Sequence, residues 1–278
     1  MRFVTWNINS LRLRLALLLQ VIDKLNPDVV CLQEIKCPTE AAPVEALVAG
    51  GFPHVLVEGM KGYNGVAILS RYPMTRIAGP NWCGRDDARH ICARISVGGS
   101  DITVDNLYVP AGGDVPDPQA NEKFAHKLQF LDEGVRYLSA TSSSERRLLA
   151  GDLNIAPLET DVWSHRQLLD VVSHTPVEVA ALARWQATRG WVDTTRQVLG
   201  STDKLYSWWS YRAKDWDTSD RGRRLDHVWA SPALAPAVTG AGILREARGW
   251  TGPSDHVPVW TDIAFDAPAP KASRRRTA

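Results

Sequence analysis

Apolar residues recur along this chain in two rhythms, short continuous runs and helically spaced stripes, with polar residues gathered where the runs end. Residues 3 to 6 read as a strand. Ser10 then precedes Leu11, Leu15, Leu18, Ile22 and Leu25, the spacing of an amphipathic helix with Ser10 as its N-cap and Pro27 as its stop. "DVVCLQE" (28–34) is a buried strand finishing on a carboxylate, and "TEAAPVEALVAG" (39–50) predicts a second helix closed by glycine. Strands follow in close order at "HVLVE", "GVAILS", "ICARISV" and "ITVDNLYV". A long helix is expected from Asn121 to Tyr137, a strand at "RLLAGD" (147–152) and another helix near 176–190. Further strands are expected at "YSWWSY" (206–211), "RLDHVWAS" (224–231) and "VPVWTDIAF" (257–265).

No repeat or linker breaks this alternation. Many strands with few helices between some of them favour two packed sheets covered by helices over one doubly wound sheet. The expectation is therefore an α/β fold in a single domain, residues 1–266. A disordered basic tail, 267–278, follows it.

Composition narrows the function. With 278 residues, 44% of them hydrophobic, the chain can bury a large core. No apolar run approaches the roughly 20 residues of a membrane span, and "MRFVTWNINS" lacks the layout of a signal peptide, so a cytoplasmic protein is expected. Cys31, Cys37, Cys83 and Cys92 form no CxxC pair and suggest neither zinc nor disulfides. The formal charge is +1, and Lys271, Arg274, Arg275 and Arg276 lie in the tail, which leaves the body slightly acidic. Net charge therefore does not force a polyanionic partner, but a carboxylate-rich site holding a divalent cation would supply positive charge beside a phosphate.

Set side by side, the polar run-ends are "TWNIN" (5–9), "LQE" (32–34), "NLYVP" (106–110), "GDLN" (151–154), "RLDH" (224–227) and "SDH" (254–256). Singly, each has an ordinary explanation as a turn-former, a cap or a solvated strand end. On aligned strands they would share one rim, where loops on a rigid scaffold build sites. Their oxygen donors suit Mg²⁺ or Mn²⁺ better than zinc, and the chemistry they suit is phosphodiester hydrolysis. His256 can take a proton from water or, as imidazolium, support the pentacovalent phosphate, with Asp226 holding its other ring nitrogen.

The motifs "TWNINSLRLRL", "LQEIKC", "GYNGVAILS", "NLYVPAGG", "GDLNIAP", "WWSYR", "GRRLDHVWAS" and "GPSDHVPV" together closely resemble the exonuclease III family of AP endonucleases, from Arg2 to about Phe265. The resemblance implies a four-layer α/β sandwich of two mixed sheets flanked by helices. It also implies activity on double-stranded DNA at abasic sites and 3′ ends, with Mg²⁺ or Mn²⁺. By motif, Asn7 and Glu34 would be metal-site residues, with Glu34 the direct carboxylate ligand and Asp255 at the metal rim. By the same resemblance, Asp152, Asn154 and His256 would also belong to the metal site. Asp152 would activate water or protonate the leaving group, Asn154 would position the phosphate, Tyr108 would donate to a phosphate oxygen, and His256 would pair with Asp226.

DNA contacts carry over in the same way. Arg12, Lys36, Tyr63 and Asn64 resemble phosphate contacts, which set register and affinity without reading sequence. Trp208, Arg212, Arg223 and Leu225 lie in the stretch that would wall the pocket for a flipped-out abasic sugar. Alternation buries one of Trp208 and Trp209, and Arg221 and Arg224 add charge to the same stretch. Some family members carry an aromatic where this chain has Arg223, so charge would replace stacking there.

Two other readings compete: a phosphodiesterase acting on lipid or inositol phosphates, and a DNA-binding protein without catalysis. The body shows no membrane-binding segment, and every catalytic position carried over is intact. A monomer is expected, because a site on one rim needs no partner.

Overall fold

The computed structural model describes residues 1–142 and 144–265. The expected basic tail and the final residue of the expected domain lie outside the described residues. Fourteen strands are present among those described: β1 (Arg2–Asn7), β2 (Val29–Gln33), β3 (His54–Glu58), β4 (Val66–Ser70), β5 (Met74–Ile77), β6 (His90–Val97), β7 (Ser100–Tyr108), β8 (Arg147–Asp152), β9 (Val192–Asp193), β10 (Trp208–Trp209), β11 (Gly222–Arg223), β12 (Asp226–Ala230), β13 (Val238–Ile243) and β14 (Val259–Ile263). One six-stranded sheet runs β13-β14-β1-β2-β4-β3, the other runs β5-β6-β7-β8-β12-β9, and β10 with β11 forms a separate ribbon. Each large sheet is mixed: β1 and β2 are parallel, as are β7 and β8, and the remaining pairs are antiparallel.

Period-two alternation explains how the sheets pack. Phe3, Val29, Cys31, Val66 and Ile68 of one sheet meet Ile91, Ile102, Val104, Leu148, Ala150 and Val228 of the other in a shared core. The opposite faces are equally apolar. Val4, Trp6, Val30 and Leu32 pack under α1 (Leu15–Leu25) and α2 (Val44–Ala49), and Leu107, Leu149 and Trp229 pack under α3 (Glu122–Ser139) and the helix Pro176–Ala187. The result is the expected four-layer sandwich. Shorter helices, α4 (His165–Leu168), α6 (Thr194–Leu199) and α7 (Trp216–Ser219), flank Pro176–Ala187, which is α5.

The helix expected to start at Ser10 starts at Leu15 instead. Beyond Asn7 the chain keeps bonding to the segment that follows β2, through Ile8 N to Gln33 O (3.0 Å), Ser10 N to Glu34 O (2.7 Å) and Leu11 N to Ile35 O (3.0 Å). Asn9 and Ser10 take positive φ on the way, so Ser10 cannot cap. The helix expected over 39–50 is split, because Pro43 holds Ala42 extended and leaves a single 3₁₀ turn before α2. Asn121 does cap α3, accepting from Lys123 N. A capping box of Thr175 and Glu178 starts α5.

Four strands lie outside the expected pattern: β5, β13 and the two-residue β9 and β11. β5 is a short, half-exposed edge. β13 reads "VTGAGI", a weak strand signal whose glycines have a packing reason: a Cβ on Gly242 would lie 2.7 Å from the Trp260 ring.

Candidate active site

On the inter-sheet face each strand changes from apolar to polar at the same rim. Phe3 and Thr5 lead to Asn7 on β1, Val29 and Cys31 to Gln33 on β2, Ile102 and Val104 to Asn106 and Tyr108 on β7, Leu148 and Ala150 to Asp152 on β8, and Val228 is followed in space by Asp226 on β12. Gln33 and Asn106 close the apolar core beneath the site. Gln33 Nε2 donates to Asn106 Oδ1 (2.7 Å) and Thr5 Oγ1 (3.0 Å), and Asn106 Nδ2 donates to the carbonyls of Leu32 (3.0 Å) and Ala67 (2.8 Å).

Above this layer the predicted residues converge. Asn7 Nδ2 donates to both Glu34 Oε1 (2.8 Å) and Asp152 Oδ2 (2.9 Å), so one amide gathers two carboxylates from different sheets. Tyr108 Oη donates to Glu34 Oε1 (2.7 Å), and Lys36 Nζ lies 2.7 Å from Glu34 Oε2. Burial alone would raise the Glu34 carboxyl, but the Asn7, Lys36 and Tyr108 donors outweigh it and hold it below its ordinary value. Tyr108 is raised well above the usual phenol range by burial, with Glu34 and Asp152 adding to the effect.

Asp152 is buried, accepting from Asn154 N (2.9 Å) and Asn154 Nδ2 (3.2 Å) as well as Asn7. Asn154 sits in the left-handed region (φ 54°), and its Nδ2 also reaches Val109 O (2.9 Å). Across β12, Asp226 Oδ2 meets His256 Nδ1 at 2.8 Å and accepts from Ser207 Oγ at 2.6 Å. His256 Nε2 lies 3.7 Å from Asp152 Oδ2. Burial raises the Asp152 carboxyl to about 7, opposed by His256 and reinforced by Asp226. For His256 burial works downward, yet Asp226 and Asp152 raise the imidazole to about 10.

The "SDH" turn is tied to the first strand. Ser254 Oγ donates to Asn7 O (2.7 Å) and accepts from His256 N (3.2 Å), while Trp6 Nε1 donates to His256 O (3.0 Å). Asp255 points the other way, accepting from Asn9 Nδ2 (3.1 Å) and Trp208 Nε1 (3.0 Å). It therefore flanks the carboxylates and is not one of their group.

A hard cation suits this donor set. Glu34 and Asp152 converge on Asn7, and the rise at Asp152 marks a place short of positive charge. Atoms of Asp152, Asp226 and His256 also approach one another within 4.8 Å. An ion there would have to displace the proton between Asp226 and His256, so the Glu34–Asp152 side is the better seat. Asn7 turns its NH₂ to the carboxylates and its Oδ1 to Asn9 N (3.2 Å), so it steadies them as a donor.

The residues expected to contact DNA fall into three groups. Tyr63 and Asn64 line a cleft of about 670 Å³ that Tyr108 closes on one side, with Arg85, Arg89 and Lys123 around it. Arg12 and Arg212 are exposed, whereas Lys36 already holds Asn9 Oδ1 (2.6 Å) and Glu34. Trp209 is the buried member of its pair and Trp208 the half-buried one, as alternation required. The Arg223 guanidinium lies 5.3 Å over the Trp208 ring, held by Val172 O (2.9 Å) and Ser173 Oγ (2.7 Å), and Leu225 is buried against Val162 and Leu168.

Arg224 departs from expectation. It is buried, with Asp161 on Nε (2.7 Å) and Nη2 (2.9 Å) and Asp193 on Nη1 (2.7 Å), so its charge serves the interior. Ser207 and the buried Lys127–Glu178 pair were not anticipated. The only hint of Lys127 is a lysine at the core-facing 124–127–131 spacing of α3, beside Phe124 and Leu131.

Known proteins are similar to this chain in sequence and fold over nearly its whole length. The chain is 34% identical to exodeoxyribonuclease III of Haemophilus influenzae over 273 residues, covering 95% of this chain and 100% of that protein. An AP endonuclease from Archaeoglobus fulgidus superposes with a TM-score of 0.88 at 30% identity, covering 95% of this chain and 100% of that one. A 3′ phosphatase from Neisseria, solved with a product DNA hairpin, does so with a TM-score of 0.86 at 29% identity and the same coverage. Residues 4–256 match the Endonuclease/Exonuclease/phosphatase family, and with that span and those relatives the chain belongs to this family, in its exonuclease III and AP endonuclease branch.

Proposed function

We propose that this chain is a metal-dependent DNA repair nuclease that incises duplex DNA 5′ to abasic sites and removes nucleotides or blocking groups from 3′ ends. The observation that carries the reading is the line Asp226–His256–Asp152 standing beside Glu34 and Tyr108 at one rim. Its chemistry is in-line attack of water on a phosphodiester.

Asp152, 3.7 Å from His256 Nε2, takes a proton from water or returns one to the leaving oxygen. His256, charged at neutral pH and oriented by Asp226, faces the negative charge that develops on the phosphate. Asn154 keeps Asp152 aimed, and Tyr108 donates to a phosphate oxygen once substrate displaces its bond to Glu34. Glu34 and Asp152 would hold Mg²⁺ or Mn²⁺, with Asn7 steadying both and Asp255 at the rim of the site. Such an ion neutralises the phosphate and stabilises the leaving oxygen. Arg12, Lys36, Tyr63, Asn64 and Arg212 serve the backbone of duplex DNA, and Trp208, Arg223 and Leu225 wall the lesion pocket. No described helix is long and apolar enough to cross a membrane.

The test uses two labelled duplexes, one with a single abasic site and one intact with a recessed 3′ end, each with Mg²⁺ and with chelator. Metal-dependent incision 5′ to the abasic site, or a ladder from the 3′ end, is expected. If neither duplex is cut, the reading fails and lipid or inositol phosphodiesters are the next substrates to try.

A further inference from the structure

Beneath the loop that carries Asn154 lies a fully buried ion pair that the chemistry above leaves unused. Lys127 of α3 and Glu178 of α5 are both without solvent exposure, and Lys127 Nζ lies 2.5 Å from Glu178 Oε1. The ammonium spends its two other donors on main-chain carbonyls, Asn154 O at 2.8 Å and Ala111 O at 3.2 Å. Its three hydrogens are thereby all placed. Glu178 accepts from Ser173 N through both oxygens (3.0 Å each), from Thr175 N (3.2 Å) and from Thr175 Oγ1 (2.6 Å). Ser173 in turn holds Arg223 through its hydroxyl.

A buried pair of this kind is a poor source of stability, because removing two charges from water offsets much of their attraction and an apolar pair of similar volume often serves as well. Its contacts point to another use. Asn154 is a non-glycine residue in the left-handed region, and its amide N–H and side chain both hold Asp152. Its carbonyl is the remaining group by which that conformation can be gripped, and Lys127 grips it.

We infer that Lys127 and Glu178 form a positioning pair for phosphodiester hydrolysis, fixing the Asn154 peptide so that Asp152 is held in its working orientation. The inference rests on the nuclease reading above. Neither residue lines the cleft of Tyr63 and Asn64; Lys127 reaches it only through Ala111 and Glu178 reaches Arg223 only through Ser173, so the larger effect belongs in turnover.

The experiment compares the wild-type chain with the neutral double variant Lys127→Met/Glu178→Gln, which leaves no lone buried charge. A control, Thr194→Val, loses buried hydroxyl bonds to Val228 O and Thr261 Oγ1 away from the rim. Steady-state kcat and KM on abasic duplex are measured with the melting temperature of each protein. The expected result is a kcat lowered about tenfold or more with a smaller change in KM in the double variant, as a small misplacement of a reacting group produces. Thr194→Val should keep its kcat at a comparable loss of melting temperature.

A double variant within twofold of wild-type kcat overturns the inference, and so does a Thr194→Val variant that loses turnover equally. If the double variant does not fold, Lys127→Arg replaces it. Arginine keeps the charge opposite Glu178 but cannot bring one nitrogen to Glu178, Asn154 and Ala111 together, so a lowered kcat is again expected and an unchanged one overturns the inference. Failure of the wild-type chain to cut any duplex would instead sink the nuclease reading itself.

Discussion

Asp152 and Asp226 sit directly opposite each other on the antiparallel strands β8 and β12, and the His256 ring lies between their carboxylates. Two buried acids on adjacent strands would repel, but the imidazole shared between them turns the repulsion into a proton-handling unit. His256→Ala should lower kcat about 10²- to 10⁴-fold, the usual worth of a positioned acid or base. Asp226→Asn keeps the ring but loses its ionic partner, so a smaller loss is expected, together with an imidazole that titrates lower. Proton NMR of the His256 ring across pH checks the second point, and circular dichroism of both variants checks the fold.

Asp152 makes the stability of the metal-free protein depend on pH in an unusual sense. Its carboxyl is raised from an ordinary value of 3.8 to about 7, so the folded protein holds that proton more tightly than the unfolded chain does. The site therefore costs stability progressively as pH climbs from about 4 to 7. His256 acts oppositely: raised to about 10, it contributes stability at and below neutral pH that fades only as pH rises toward 10. Asp152→Asn is expected to be inactive yet to melt higher than wild type at pH 8 in chelator, with the gain shrinking toward pH 5. Equal melting curves at both pH values would contradict this.

Glu34 is held ionised by Asn7, Lys36 and Tyr108 and is the direct cation ligand of the proposed mechanism. Glu34→Gln should raise the Mg²⁺ concentration for half-maximal activity by about tenfold or more, the scale of losing an anionic contact to a hard ion. Activity titrated with Mg²⁺, at saturating DNA, reads this directly. Tyr108→Phe should leave that half-maximal concentration within a few-fold of wild type while lowering kcat.

Arg224 and Arg221 are three residues apart and serve different ends. Arg224→Met deprives Asp193 of its arginine and leaves Asp161 with Arg196 alone, and should destabilise the fold by about 3–5 kcal/mol. Arg221, exposed over the Trp163 ring at 4.8 Å, should change melting by little when replaced with Ala. Urea denaturation of the two variants separates them.

That contrast shows what was legible in the sequence. Polar residues that end apolar strands announce themselves, because an Asp after "RLLAG" or a Glu after "VVCLQ" breaks a strong pattern, and all of these meet at the rim. Arginines within "DRGRRLD" carry no such mark: whether each faces water or the core depends on Asp161 and Asp193, which are distant in sequence. Lys127 is hidden for the same reason, since its partners come from α5 and from two loops. Ser207 was one polar residue among many until the fold set it against Asp226. Elements were misjudged where tertiary bonding overrode a local signal, as at Ser10, whose backbone is committed to the segment after β2.

The union of β1 with β14 has a further implication. Asn7 lies on the first strand and His256 just before the last, their neighbourhood sealed by a bond between residues 250 positions apart, Trp6 and His256. During synthesis, this contact cannot close until residue 256 has left the ribosome. A nascent polypeptide therefore carries Asn7, Glu34 and Asp152 past the ribosome's own RNA without the histidine that completes them, and the capacity to cut phosphates waits until that residue has emerged.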